Sequence, residues 1–400
     1  MITVQEAMEF ISKQVQDYGS EMIDLEVARG RILSEDLVAD RDYPPFDRVT
    51  MDGICINYSA YKAGKRSFKI ESIAAAGSPF QTLINDTNCI EVMTGAGMPS
   101  GADTVIKYEE LDIDEETNTA RLHKNIEVTF KQNIHFQGSD HKGGKILLKK
   151  GTRLRPSDIG IAASLGHAQI SVNKVPKAAI ISTGDELVDI DKTPLPHQIR
   201  KSNVYTIKSR LEQYAIEADL FHLIDEKEAI RSSLVQIIED YEVVILSGGV
   251  SKGKFDYIPE ILTELGVVKD FHKIKQRPGK PFWFGRTEDT IIFALPGNPV
   301  SSFVCTKKYI EHWLCQSLGI NRKLVYVELA EDVLFSPDLH YFLEVEIEYT
   351  SDAKILAHPR KGNGSGDFVN LTRAQAFMEL PRGKNTFKAG EIYPILFFDN

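Results

Sequence analysis

Val4, Ala7, Met8, Ile11 and Val15 recur at helical spacing behind a Thr3/Glu6 pair spaced as a capping box, so the chain is predicted to open with an amphipathic helix. A second helical stretch is expected through Arg31. The run Asp42-Tyr43-Pro44-Pro45-Phe46-Asp47 then breaks regular structure, because each proline lacks a backbone donor and restricts the residue before it. Short runs at 68–73, 89–93, 104–108 and 120–123, separated by Gly, Asn and Asp turn signals, predict a small β domain. Pro156-Ser157-Asp158 starts another helix that Gly166 ends. An inserted β domain at 46–140 is therefore expected between the two parts, 1–45 and 141–172, of an N-terminal helical/β region.

From 177 the pattern changes. Apolar runs at 177–182, 218–224, 243–247 and 290–295 alternate with helical segments near 203–215, 226–240 and 299–318, which predicts a parallel sheet covered on both faces. Beyond 324, Leu343-Glu344-Val345-Glu346-Ile347-Glu348 alternates with period two, as a half-buried strand does. The expected class is multidomain α/β plus β, with a central doubly wound α/β domain at 173–323 and a C-terminal β-barrel-like domain at 324–400.

At 400 residues, 42% apolar and 26% charged, the chain has material for several cores and is not predominantly disordered. Forty-seven Lys and Arg against 57 Asp and Glu give a charge of -10, which argues against a surface built to grip nucleic acid; an anionic ligand needs a local basic pocket. No apolar run approaches the roughly 18–20 residues of a bilayer helix, and Met1 to Glu6 lacks a signal peptide's regions, so a cytoplasmic location without membrane association is expected. Cys55, Cys89, Cys305 and Cys315 form no CxxC pair and are expected to be reduced and mostly buried. The ten histidines are scattered, with neither HExxH nor a Ser/His/Asp order.

In an open parallel sheet, ligands bind outside the carboxyl ends of the strands. There the chain carries Ser182-Thr183-Gly184-Asp185-Glu186, Ser247-Gly248-Gly249-Val250-Ser251 and Leu295-Pro296-Gly297-Asn298-Pro299-Val300-Ser301. Glycine lets a backbone turn sharply and approach a ligand, successive amides point at an anion, and the helix from Pro299 adds its positive end. One such loop is as well explained as a tight turn; three at one edge read as a phosphate site. Residues 248–254 fit GxxxxGK, but Phe255 stands where a P-loop places Ser or Thr, so that motif is weak. Asp256 reads either as a helix cap or as a ligand of hydrated magnesium, with Asp185, Glu186 or Asp225. The run His272-Lys273-Ile274-Lys275-Gln276-Arg277-Pro278-Gly279-Lys280-Pro281 is a proline-stiffened cationic arm suited to an oxyanion. Asp52, Thr94 and Asp140 lie in polar turns, and residues 362–367 form either a mobile linker or an anion-contacting loop. From these residues the reading is a magnesium-assisted enzyme acting on a phosphorylated or nucleotidyl ligand.

Taken together, Pro45-Phe46-Asp47, Met51-Asp52-Gly53, Met93-Thr94-Gly95-Ala96, the three strand-end loops, Asp256-Tyr257 and Pro278-Gly279-Lys280-Pro281 resemble the MoeA-type molybdopterin molybdotransferase family, shared with the C-terminal part of gephyrin. The resemblance implies a homodimer with dimerisation through the N-terminal region, and insertion of molybdate into adenylylated molybdopterin with release of AMP, assisted by Mg2+. By the same resemblance, Asp185, Glu186, Asp225 and Asp256 organise metal or substrate, Thr183, Gly184, Ser247, Gly248 and Gly249 cradle phosphate with Pro296, Gly297, Asn298 and Pro299, and Arg277, Lys280, Pro281, Ser301 and Ser365 contact molybdate or pterin phosphate. Asp52, Thr94 and Asp140 are implicated in activity at a site between subunits. Two departures are Arg277, where the family commonly has Lys, and Tyr341, near where an Arg often contributes. Implied partners are a molybdopterin adenylyltransferase and molybdoenzyme maturation proteins. The alternative functions are that adenylyltransferase activity itself and a non-catalytic, gephyrin-like scaffold.

Overall fold

A computed structural model describes residues 1–250 and 257–399, which form two compact units. The first comprises Met1–Glu35, Gly151–Ile159 and Ala168–Asn400, the second Asp36–Lys150 and Gly160–His167. Each begins from segments that leave and rejoin it: Ser20–Asp24 pairs with Gln169–Asn173 in the first, and Leu37–Val38 with Ile146–Leu148 in the second.

The central sheet of the first unit has the strand order Ala218–Leu223, Ala178–Thr183, Val243–Ser247, Ile291–Leu295, Trp283–Arg286, Val268–His272. The first four strands, which are the four expected from sequence, are parallel; two further strands extend the sheet, Trp283–Arg286 antiparallel to Ile291–Leu295 and Val268–His272 antiparallel to Trp283–Arg286. Only 287–290 separate Trp283–Arg286 from Ile291–Leu295, and so short a link makes a hairpin rather than a crossover. Alternate residues serve opposite faces: Ile180, Ile245 and Phe293 join a core with Tyr309 and Trp313, while Ile181, Leu246 and Ile292 join one with Leu234 and Ile261. Each such side chain contributes about 1.5–3 kcal/mol by burial. Helices Asn203–Glu212 and 299–317 cover the first face; Lys227–Asp240 and Ile258–Glu264 cover the second.

The opening helix is Val4–Ser12, with both hydrogen bonds of the Thr3/Glu6 capping box and Val4, Ala7 and Ile11 buried. It ends before Val15, which is exposed. The second expected helix is absent: Ser20–Asp24 is a strand followed by a 3₁₀ turn at Leu25–Val27, because five paired residues of Gln169–Asn173 outweigh local helical spacing. The C-terminal strands His340–Tyr349, Ile355–Pro359, Val325–Leu329, Ile392–Phe397 and Ala376–Leu380 close into a barrel when the last pairs with the first. Leu343, Val345 and Ile347 fill its core, as their period-two spacing requires.

The helical run 299–317 contains a wide turn, Thr306–Ile310, with π-type bonding. It turns Lys307 inward, and neither Lys307 nor Glu311 has exposed surface. Glu311 accepts from Arg210 Nε at 2.7 Å, Tyr214 Oη at 3.1 Å and Lys307 Nζ at 3.1 Å; the Phe398 carbonyl accepts from Arg210 Nη1 at 2.6 Å and Lys307 Nζ at 3.3 Å. Burial lowers the Lys307 pKa to about 8.

The second unit is built on a six-stranded sheet in the order Thr104–Lys107, Gly53–Ile56, Cys89–Val92, Ser67–Ala74, Thr119–Leu122, Leu111–Asp114. All four cysteines are free and buried, as expected. No described helix is long and apolar enough to cross a membrane. Glu311→Ala leaves two buried cations without their carboxylate, so equilibrium unfolding in urea should show a loss of about 3–5 kcal/mol.

Candidate active site

At the carboxyl ends of the parallel strands lies a cleft of about 1150 Å³. Thr183, Gly184 and Glu186 follow one strand into it, Asp225 another, Ser247, Gly248 and Gly249 a third, and Pro296, Gly297, Asn298 and Pro299 the fourth. The chain passes from Ala178–Thr183 to Ala218–Leu223 on one side of it and then crosses to Val243–Ser247 on the other, and the cleft opens at this reversal, the switch point at which open α/β sheets bind ligands. Gly248 has φ +108°, and a Cβ there would lie 2.7 Å from Thr183 Oγ1; no larger residue permits this approach of the two loops. Thr183 Oγ1 is itself buried without a hydrogen-bond partner among the described residues. Asn203 Nδ2, at the start of its helix, donates to Ser247 Oγ at 2.9 Å and to the Gly297 carbonyl at 2.8 Å, bracing two loops. Asp185 Oδ1 accepts from the Asp225 amide at 3.1 Å and so fixes the acidic loops together.

A smaller pocket of about 590 Å³ shares Pro281, Pro296, Asn298 and Gly366 with this cleft. Arg277, Lys280, Ser301, Tyr341, Glu344 and Ser365 line it. Arg277 and Lys280 are exposed and form no ion pair among the described residues. They are held by Gln276–Arg277, which leaves the central domain to pair in parallel with His340–Tyr341 of the barrel. Gln276 is fully buried; its Nε2 donates to the Pro278 carbonyl at 3.0 Å, and Tyr309 Oη donates to its Oε1. Gly279, at φ +88°, packs against both Gln276 and Cys305. Tyr341 stacks on Phe335 at 4.1 Å between ring centroids, and burial raises the pKa of its hydroxyl. Asn298 Nδ2 donates to Ser365 Oγ at 2.9 Å, so the loop read from sequence as linker or anion contact lines this pocket through Gly362–Gly366.

In the second unit, the Thr94 amide donates to Asp52 Oδ1 at 2.6 Å and lowers the Asp52 pKa. Gly53 permits this turn to sit tight on its neighbour strand, since a Cβ would lie 1.9 Å from the Ile106 carbonyl oxygen. Asp140 pairs instead with His135 Nε2 at 2.7 Å. Asp256 lies outside the described residues. Among the described residues no group of three or more His, Cys, Asp or Glu side chains is placed to hold a metal ion, so Asp185, Glu186 and Asp225 form no closed cage. Sequence patterning missed Asn203, Gln276 and Glu344, whose roles come from partners far along the chain.

Three family models match in order: the MoeA N-terminal region (domain I and II) over residues 2–166, a probable molybdopterin binding domain over 179–316, and the MoeA C-terminal region (domain IV) over 326–398. The molybdopterin molybdenumtransferase of Synechocystis sp. is 40% identical over 397 residues, covering 98% of this chain and 99% of its own. The chain belongs to the MoeA family. A molybdopterin molybdenumtransferase of Staphylococcus aureus (strain Mu50) is 31% identical over 412 residues, covering 100% of this chain and 96% of its own. The crystal structure of the molybdopterin biosynthesis MoeA protein from Pyrococcus horikoshii OT3 superposes with a TM-score of 0.80 at 26% identity, with both chains fully covered. The N-terminal domains, central α/β domain and C-terminal barrel are thus the MoeA fold.

Gly279→Ala places a Cβ 2.6 Å from Gln276 Nε2 and 2.8 Å from Cys305 Sγ, on a backbone that favours glycine. A stability loss of about 1–2 kcal/mol from conformation alone is expected in thermal unfolding, with further loss from the clash.

Proposed function

We infer that this MoeA-family chain inserts molybdate into adenylylated molybdopterin, cleaving the phosphoanhydride and releasing AMP. The observation that carries this reading is the shared wall of Pro281, Pro296, Asn298 and Gly366 between a glycine-lined cleft and a cationic pocket. A nucleotidyl pterin in the cleft would present its phosphates to the Gly248 and Gly249 loop and to the Thr183 hydroxyl, which has no hydrogen-bond partner among the described residues. Molybdate in the smaller pocket would meet Arg277 and Lys280, with Ser301 and Ser365 as hydroxyl donors. Arg277 offers a planar fork suited to two oxygens of one oxyanion. Charge that develops on the departing phosphate is then met by donors already fixed in place, with little reorganisation at the moment of reaction.

Magnesium fits the larger cleft. Mg2+ is commonly held by one or two carboxylates together with water and substrate phosphate, and Glu186 and Asp225 line the cleft while Asp185 is tied to the Asp225 amide. When bound, the ion would offset phosphate charge. The same reading takes the functional form to be a homodimer, with Asp52, Thr94 and Asp140 serving a site shared between copies. A cytoplasmic setting, an adenylyltransferase upstream and molybdoenzyme maturation proteins downstream belong to it as well.

Purified protein with magnesium and adenylylated molybdopterin should release AMP when molybdate is added, and little when it is omitted, as followed by chromatography. Lys280→Ala should lower that release at least about 100-fold without change in the circular dichroism spectrum. Unchanged turnover would remove Lys280 from the site, and consumption of ATP with unadenylylated molybdopterin would favour adenylyltransferase activity.

A further inference from the structure

Two cations account for oxyanion binding in the smaller pocket, yet its lining also contains a carboxyl group. Glu344 sits in the barrel strand His340–Tyr349 and faces the same space as Arg277, Lys280, Ser301 and Ser365. It is half-buried; Oε2 accepts from Asn370 Nδ2 at 2.9 Å, and the Gly362 amide also bonds to the carboxyl. Burial raises its pKa above the ordinary glutamate value, and Asp367 in the neighbouring loop pushes the same way. The Asn370 and Gly362 bonds act the other way and favour the ionised carboxylate, but burial outweighs them. Tyr341 on the same strand and Arg277 and Lys280 on the arm line the same pocket, and Arg360 after the adjoining strand donates its amide to the Glu344 carbonyl while its guanidinium is engaged by Glu346. An ionised Glu344 would repel an oxyanion, whereas a protonated one becomes a donor to it.

We propose that Glu344 is the catalytic acid that protonates the oxygen leaving molybdate during insertion. The assignment rests on the transferase function inferred above. Insertion replaces oxygen on molybdenum by sulfur of the pterin dithiolene, and oxide is a poor leaving group whereas water is a good one. In the first exchange one Mo–S bond forms and one Mo–O bond breaks. The thiol proton and the Glu344 proton depart with the oxygen as water. The double negative charge of molybdate becomes one charge on the thiomolybdate product and one on Glu344, and molybdenum remains hexavalent. Tyr341, the other weak acid of the lining, has its hydroxyl pKa raised by burial and by Glu344, so it holds its proton more tightly. Glu344 regains its proton from solvent through the open pocket before the next exchange.

The test compares wild type, Glu344→Gln and Glu344→Asp between about pH 5.5 and 9, with molybdenum retained on the pterin as the measure of insertion, alongside AMP release and calorimetric molybdate binding. Wild-type kcat for insertion should fall as pH rises through the Glu344 pKa. The Gln variant should bind molybdate at least as tightly, with kcat about 100-fold lower or less and no such fall. The Asp variant should retain the fall, displaced to lower pH, at an intermediate rate. A Gln variant with wild-type kcat or a wild-type pH profile overturns the proposal; if that variant does not fold, an Asp variant whose pH profile has not moved does so. Wild-type protein that binds molybdate but inserts none removes the transferase function and this assignment together. Wild-type insertion with an unaffected Gln variant removes this assignment alone.

Discussion

The buried amide of Gln276 fixes the geometry on which the smaller, cation-lined pocket depends. An unpaired amide in the interior costs about 1–3 kcal/mol, but here both ends are paired: Nε2 donates to the Pro278 carbonyl, and Oε1 accepts from Tyr309. The same residue pairs in the barrel sheet opposite His340, which sets Arg277 opposite Tyr341. The backbone that carries Arg277 is thus fixed because a two-residue strand bridges the central domain and the barrel, and that of Lys280 is held by the bond from the Ile274 amide to its carbonyl. A one-residue slip would turn Arg277 to the other side and put Gln276 where a cation is needed.

The helical run 299–317 links this pocket to a second electrostatic centre. It begins beside the ligand space, with Ser301 in the pocket lining, and continues into the turn where Lys307 and Glu311 meet Arg210 and the Phe398 carbonyl. Arg210 belongs to Asn203–Glu212, the helix whose first residue braces Ser247 and Gly297. Two elements that carry site residues are therefore anchored at their other ends by one buried cluster. If the pocket receives a small dianion, as proposed above, it gains from such rigidity, since donors that move by an ångström lose most of their advantage. The net charge of -10 does not oppose it, because screening confines the field of surface charges to roughly 8 Å at physiological salt while the arm's cations act at contact.

Much of this was legible in the sequence. Three of the parallel strands are legible to within a residue because they are buried on both faces and apolar throughout; the edge strand Ala218–Leu223 is half-exposed and mixed in character, and the glycine loops mark the strand ends that line the cleft. The period-two run 343–348 likewise announced the barrel strand. Residues whose identity is decided by distant partners were not legible. Ser20–Asp24 follows the register of 169–173, Asn203 is explained only by loops 44 and 94 residues away, and Gln276 sat unremarked inside a run noticed for its charge. Glu344 carried no signal, since Glu346 and Glu348 share its pattern and only the fold sends the first of them to the pocket wall.

The composition of that wall has a thermodynamic consequence. Arg277 and Lys280 balance the charge of one dianion, so an ionised Glu344 would leave the filled pocket with an excess negative charge. Oxyanion binding and protonation of Glu344 therefore favour one another, and linkage makes the coupling reciprocal: whatever factor the ligand adds to the proton affinity, the proton adds to the ligand affinity. The raised pKa of the empty pocket means that part of this adjustment is built in before the ligand arrives. On the proposed function, a third cation in place of Glu344 would hold molybdate more tightly but would supply no proton to the oxygen that leaves. On the proposed assignment, weaker ground-state binding combined with a proton donor in the pocket wall is the arrangement that favours turnover over retention.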